Sequence, residues 1–144
     1  MTDKTGQCMC GAVSFTAHDV PTGYGACHCE MCRRWAGSAL LAVTVKGGSV
    51  TWKGDAHIRT LQSSEWAERA WCGRCGSGLW YRTTTKPRGQ NDYELPIGLF
   101  DDANGFELKR EIFIDHKPDS FTLAGDHKTL TRDEVVAMYM PEAE

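Results

Sequence analysis

Ala26-Cys27-His28-Cys29-Glu30-Met31-Cys32-Arg33-Arg34 places three thiols within six residues, at C-x-C-x-x-C spacing. Packing needs no such cluster, because a free cysteine packs as a small hydrophobe and buried ones come scattered. Thiols gathered beside basic residues point to a metal or to reactive sulfur. Structural zinc takes four protein ligands, whereas catalytic zinc takes three and keeps a position for water or substrate. Three cysteines are one short of a closed site.

Four more cysteines lie outside this stretch. Gly6-Gln7-Cys8-Met9-Cys10-Gly11 presents two thiols on a glycine-flanked turn, and Cys72-Gly73-Arg74-Cys75-Gly76-Ser77 has the form of a zinc knuckle. The glycine after its second cysteine allows a tight turn whose amides point at sulfur. The knuckle needs two further ligands. Cys29-x-x-Cys32 and Cys8-x-Cys10 both qualify by spacing. The first choice strands Cys8, Cys10 and Cys27. The second uses all seven cysteines, as one closed and one open site, and economy favours it. An odd count leaves one thiol over in a disulfide framework, and a redox C-x-x-C normally opens a helix in a βαβ context that this chain lacks.

The wider composition bounds the class. The 144 residues carry a net charge of −3 and are 41% apolar and 24% charged. A single domain spanning 1–144 with a modest core is expected. The basic residues form no stripe, so nucleic acid is not an expected partner. The polar start, Met1 to Gln7, has no apolar signal region, and no apolar run approaches a membrane span. A cytoplasmic location is expected.

Hydrophobic alternation predicts a mainly β fold with a short terminal helix. Strands are expected at 12–17, 39–45 (buried on both faces), from Val50, at 57–62 with 67–72, from Leu79, at 93–100 and at 106–114. A short helical turn is expected over Arg33 to Gly37, and an exposed loop over 86–92. Thr131-Arg132-Asp133-Glu134 is a capping box that predicts a helix over 131–140, stopped near Pro141.

Gly6-x-Cys8-x-Cys10-Gly11-Ala12-Val13, Cys27-His28-Cys29-x-x-Cys32-Arg33, Gly37-Ser38, Ser63-Ser64, Arg69 and Cys72-x-x-Cys75-Gly76-Ser77-x-Leu79 together resemble the glutathione-dependent formaldehyde-activating enzyme (GFA) family. The match runs in order from residue 6 to about 102. The resemblance implies a zinc-bound β-tent fold of several small twisted antiparallel sheets. It implies a structural zinc on Cys8, Cys10, Cys72 and Cys75, and a catalytic zinc on Cys27, Cys29 and Cys32. It also implies a carbon–sulfur lyase handling an S-hydroxymethyl adduct of glutathione or a related thiol. The alternative on the same scaffold is a non-catalytic, zinc-stabilised binding module. The C-terminal third departs from the family pattern. Glu111-Ile112-Phe113 stands where a His-Ile-Phe/Tyr element is common, and Ser120-Phe121 where a tryptophan often follows.

Three thiolates on a dication leave one net negative charge, which suits holding a thiol as thiolate better than activating water. Arg33, Arg34 and Arg74 are candidates to offset that charge or to grip a substrate carboxylate. His28, between two ligands, is expected to hydrogen-bond near the metal rather than bind it. Trp35 is a candidate pocket wall. His18, His57, His116 and His127 look isolated and receive no role.

Overall fold

The computed structural model describes residues 2–85 and 91–139. Most of the expected loop at 86–92, and the expected helix stop near Pro141, lie outside the described residues. In chain order the strands are β1 (Thr2–Gln7), β2 (Ser14–Val20), β3 (Gly23–Cys27), β4 (Leu40–Val45), β5 (Val50–Lys53), β6 (Ile58–Gln62), β7 (Ala67–Cys72), β8 (Gly78–Thr83), β9 (Tyr93–Pro96), β10 (Glu107–Ile112) and β11 (Lys128–Leu130). Helix α1 (Glu30–Ala36) follows β3, and α2 (Arg132–Tyr139) ends the described chain. The fold is mainly β with several sheets and a short C-terminal helix, as the sequence predicts. No helix among the described residues is long and apolar enough to cross a membrane.

The chain divides into two compact units, one of Met1–Thr22 with Ala42–Phe106 and one of Gly23–Leu41 with Glu107–Glu144. In the first unit, β2 pairs antiparallel with β1 on one side and β5 on the other. A second set of antiparallel ladders joins β4 to β9, β9 to β8, β8 to β7 and β7 to β6. Alternation along β2 turns Phe15 and Ala17 inward, and β7 buries Ala67, Arg69, Ala70 and Cys72, its register shifting between Ala70 and Trp71. Aromatic rings fill much of this core. Trp52 lies 4.7 Å from Trp80 and 5.1 Å from Phe15, and Trp80 lies 5.0 Å from Tyr93. Tilted and edge-on contacts of this kind add to area burial.

The Cys8–Cys10 turn and the Cys72–Cys75 knuckle are both hairpin turns of this unit. The β1–β2 turn is closed by the Cys8 amide donating to the Val13 carbonyl at 2.9 Å, and Gly11 takes φ +80° within it. The β7–β8 turn is closed by Cys72 N–H to Ser77 O at 2.9 Å and Gly76 N–H to Cys72 O at 2.7 Å, with Gly76 at φ +85°. Gly54 locks the first turn from outside. It sits at φ +88°, and a Cβ there would lie 1.9 Å from the Ala12 carbonyl oxygen.

The second unit is built differently. β10 runs parallel to both β3 and β11, with Ile112 opposite Cys27 and opposite Leu130. This corrects the expectation of purely antiparallel sheets. Antiparallel pairs suit tight hairpins, but β10 reaches β3 and β11 through long connections that let the strand run the same way. β1, β3 and β11 had no expected counterpart. The β9 strand is also shorter than the expected 93–100, giving way at Pro96 to a 3-10 turn over Ile97–Leu99.

Helix α1 starts at the cysteine cluster itself. Cys29 is its N-cap, with Sγ accepting from the Cys32 amide at 3.3 Å, and Gly37 closes it in the left-handed region at φ 77°. The predicted turn at 33–37 is thus the second half of a seven-residue helix. The capping box forms at α2 as expected. The Thr131 hydroxyl accepts from the Glu134 amide at 3.3 Å, and Glu134 accepts from the Thr131 amide at 2.8 Å.

Candidate metal centre

Two groups of cysteines converge. The sulfurs of Cys8, Cys10, Cys72 and Cys75 lie within 4.8 Å of one another, and so do those of Cys27, Cys29 and Cys32. Cys72 and Cys75 therefore meet Cys8 and Cys10, and not Cys29 and Cys32.

The four-cysteine group belongs to the first unit. Four sulfurs about 2.3 Å from one zinc at tetrahedral corners stand about 3.8 Å apart. Here Cys8 and Cys10 are 3.7 Å apart, and Cys10 and Cys72 are 3.9 Å apart. The surrounding backbone donates to sulfur: Val13 to Cys8 at 3.3 Å, Ala12 to Cys10 at 3.5 Å and Arg74 to Cys72 at 3.4 Å. The Ser77 hydroxyl lies 3.2 Å from the Cys75 sulfur and accepts from the Met9 amide at 2.9 Å, so one side chain ties the two turns together. These donors favour thiolates. The Ser77 hydroxyl, then its amide, hold the Cys75 thiol down to about 5. Burial raises Cys8, but the Val13 amide and the Cys10 and Cys72 thiols outweigh it and keep the group below its ordinary value. At Cys10 the Ala12 amide pulls downward, yet burial and the thiols of Cys8, Cys75 and Cys72 push the group up to about 11. Four thiols this close do not all ionise without a cation among them. The donor set, spacing and amide bonds fit a closed zinc site.

The three-cysteine group belongs to the second unit. Cys27 ends β3, Cys29 caps α1, and Cys32 is buried one turn into the helix. Hydrogen bonds with Cys29 and Cys32, then burial, push the Cys27 thiol well above its ordinary range. The group is again short of a positive charge. No fourth cysteine, histidine or carboxylate joins this group among the described residues.

Between two of these cysteines, His28 is 1% exposed. Its Nε2 lies 2.7 Å from Oε1 of Glu111, which is 3% exposed, and the other Glu111 oxygen accepts from Nε2 of His127. Burial raises the Glu111 carboxyl, but the hydrogen bonds from His127 and then His28 outweigh it and hold the group below its ordinary value. The register of β10 explains the meeting. Glu111 stands opposite Ala26 of β3, and His127 immediately precedes β11, which pairs with β10 from Arg110 onward. Sequence reasoning placed His28 as a hydrogen bonder and marked Glu111 as a departure from the family pattern, but assigned nothing to His127. The available signal was Glu111 itself, a carboxylate inside an expected strand, which asks for a cationic or N–H partner once buried.

His28, Glu30, Arg33 and His116 line a cavity of ≈ 200 Å³. His116 arrives on a 3-10 turn over Ile114–His116, set by Phe113 in the left-handed region at φ 57°. Arg33, a candidate, is in this lining. Arg34 instead pairs with Glu30 at 3.0 Å on the exposed face of α1. The Arg74 amide serves the four-cysteine group. Trp35, expected as pocket wall, is not in the lining, whereas His116 is.

The sequence model of the glutathione-dependent formaldehyde-activating enzyme family matches residues 3–116. The chain belongs to this family. The match takes in both cysteine groups, the cavity residues and Glu111, and stops before His127. Family relatives include an uncharacterized lyase of Schizosaccharomyces pombe, 31% identical over 137 residues, covering 94% of this chain and 96% of that protein. Another, from Halomonas elongata, is named for glutathione-dependent formaldehyde activation. It is 34% identical over 85 residues, which are 52% of this chain and 53% of the relative.

Proposed function

We propose that the protein is a carbon–sulfur lyase that joins an aldehyde to a small thiol, and releases it, at the Cys27, Cys29 and Cys32 group. The observation that carries this reading is the convergence of three thiols, with no fourth ligand among the described residues, on a segment whose His28, Glu30 and Arg33 line a cavity together with His116. The overall reaction is R–SH + H₂C=O ⇌ R–S–CH₂–OH. The S–C bond forms, the carbonyl π pair moves to oxygen, and the thiol proton ends on that oxygen.

Cys27, Cys29 and Cys32 would hold a zinc ion, and Cys8, Cys10, Cys72 and Cys75 a second. Zinc at the open group would supply a soft cation that keeps a substrate sulfur as a nucleophilic thiolate. The rest falls to the chain's own residues. The three thiolates confer net negative charge, which preserves the nucleophilicity of a neighbouring sulfur. Arg33 offers a planar guanidinium matched to a carboxylate, and His116 a second donor across the same cavity. A carboxylate-bearing thiol, glutathione or a relative, fits that lining.

The test has two arms. Metal content and metal–sulfur coordination of the purified protein are followed with and without glutathione, and formation of S-hydroxymethylglutathione from formaldehyde is assayed in parallel. Two metals per chain, a fourth sulfur at one of them on adding thiol, and turnover are the expected results. Neither sulfur ligation nor turnover with any of several thiols would overturn the reading and leave a zinc-stabilised binding module.

A further inference from the structure

We infer that His28 is a substrate-contacting residue of this site: its Nδ1 accepts a hydrogen bond from the hydroxyl of the S-hydroxyalkyl adduct, with Glu111 and His127 fixing the ring for that task. The inference rests on the lyase reading above and adds the residue that recognises the product's oxygen.

Three observations carry it. First, Nε2 of His28 is committed, since it faces a carboxylate at 2.7 Å that can only accept. In the neutral ring the proton then sits on Nε2, and Nδ1 presents a lone pair. Second, that Nδ1 is buried and has no hydrogen-bond partner. A buried polar atom left unpaired costs stability, and native proteins keep few of them. Third, His28, flanked in sequence by Cys27 and Cys29, lines the cavity and is the one fully buried residue of that lining. The arrangement repeats a general logic: a buried carboxylate holds an imidazole in one tautomer, so that the opposite nitrogen meets the reacting group. Here the carboxylate is itself held by a second histidine, His127, which is 5% exposed at its side chain. Neither Glu111 nor His127 is in the cavity lining, so both are positioning residues. The ligand chemistry follows from the acceptor: among the groups of a thiol–aldehyde adduct, only the new hydroxyl is an O–H donor close to sulfur.

Glutamine at 28 tests the contact, because its amide reaches the Nε2 position, keeps the donor to Glu111 and removes Nδ1. In zinc-loaded His28→Gln, both metals should remain and kcat/KM for S-hydroxymethylglutathione should fall about tenfold to a hundredfold, the range of one lost substrate hydrogen bond. A purely structural role predicts near wild-type turnover. The second measurement needs no variant. ¹⁵N spectra of zinc-loaded wild type should show His28 protonated on Nε2, and its Nδ1 resonance should shift on adding S-hydroxymethylglutathione but not S-ethylglutathione. Glu111→Ala should bring the Nδ1–H tautomer into the His28 spectrum, and Glu111→Gln, whose amide oxygen still accepts, should restore Nε2–H. An active wild type with unchanged His28→Gln kinetics, or an Nδ1 signal that ignores the hydroxylated adduct, overturns the inference and leaves the lyase reading standing. A wild type inactive towards every thiol overturns both.

Discussion

At the scale of single residues, the buried carboxylate of Glu111 is the most exacting feature of the second unit. Its two oxygens are matched to Nε2 of His28 and Nε2 of His127. Glu111→Ala leaves both ring nitrogens buried without their acceptor and should destabilise the fold by about 2–4 kcal/mol, read from urea denaturation at pH 7. The pH dependence has a definite sign. The folded carboxyl is held below its ordinary 4.5, so the unfolded chain takes up a proton first as pH falls. The stability Glu111 contributes is complete above 4.5 and is lost as pH drops through the lower folded value. The wild-type advantage over Glu111→Ala should therefore be flat near neutrality and shrink only below about 4.5.

At the scale of elements, the hairpin turns and helix ends decide where sulfur goes. Gly54 packs its bare Cα against the turn that carries Cys10, at a φ that side chains rarely adopt. Gly54→Ala should force that turn away, costing about 2 kcal/mol or more, and should lower metal retention at the four-cysteine group; metal content after dialysis reads this directly. Thr131→Ala removes a formed capping bond at α2 and should cost about 1 kcal/mol, with metal content untouched. These elements also show what a sequence reveals. The β6–β7 pair and the α2 capping box were legible because periodicity and capping chemistry are local. β3 was hidden, because Gly23-Tyr24-Gly25 reads as a turn and a partner that makes it a strand, β10, lies far along the chain. β11 is three residues long and depends on the same partner. The His28–Glu111 bond joins positions 83 apart, and no local pattern encodes it. The cysteine groups were legible because metal-ligand spacing is local, although residue spacing alone left two pairings open.

At the scale of the whole molecule, the two cysteine groups differ in the length of chain they close, and that difference predicts the order of events on metal removal. The four-cysteine group brings Cys10 against Cys72, 62 residues on, and joins two hairpins of the first unit. A metal there closes a long loop that the unfolded chain would otherwise leave open, so its binding energy is largely folding energy. Cys27, Cys29 and Cys32 lie within one strand end and the first turn of α1, so a metal there closes almost nothing. It also has one protein ligand fewer. A chelator titration should therefore be biphasic. The first metal should leave at low chelator with far-UV circular dichroism unchanged, and the second should leave only as the β signal is lost. The variants should divide along the same line. Cys29→Ala should hold one metal per chain, keep its thermal transition within a few degrees of wild type and lose thiol binding. Cys72→Ser should lose much of its β signal at every zinc concentration tried, because the loop between the two hairpins is no longer closed. Simultaneous departure of both metals, or a Cys29→Ala protein as unfolded as Cys72→Ser, would contradict this division between a metal that holds the first unit together and one that serves the site in the second.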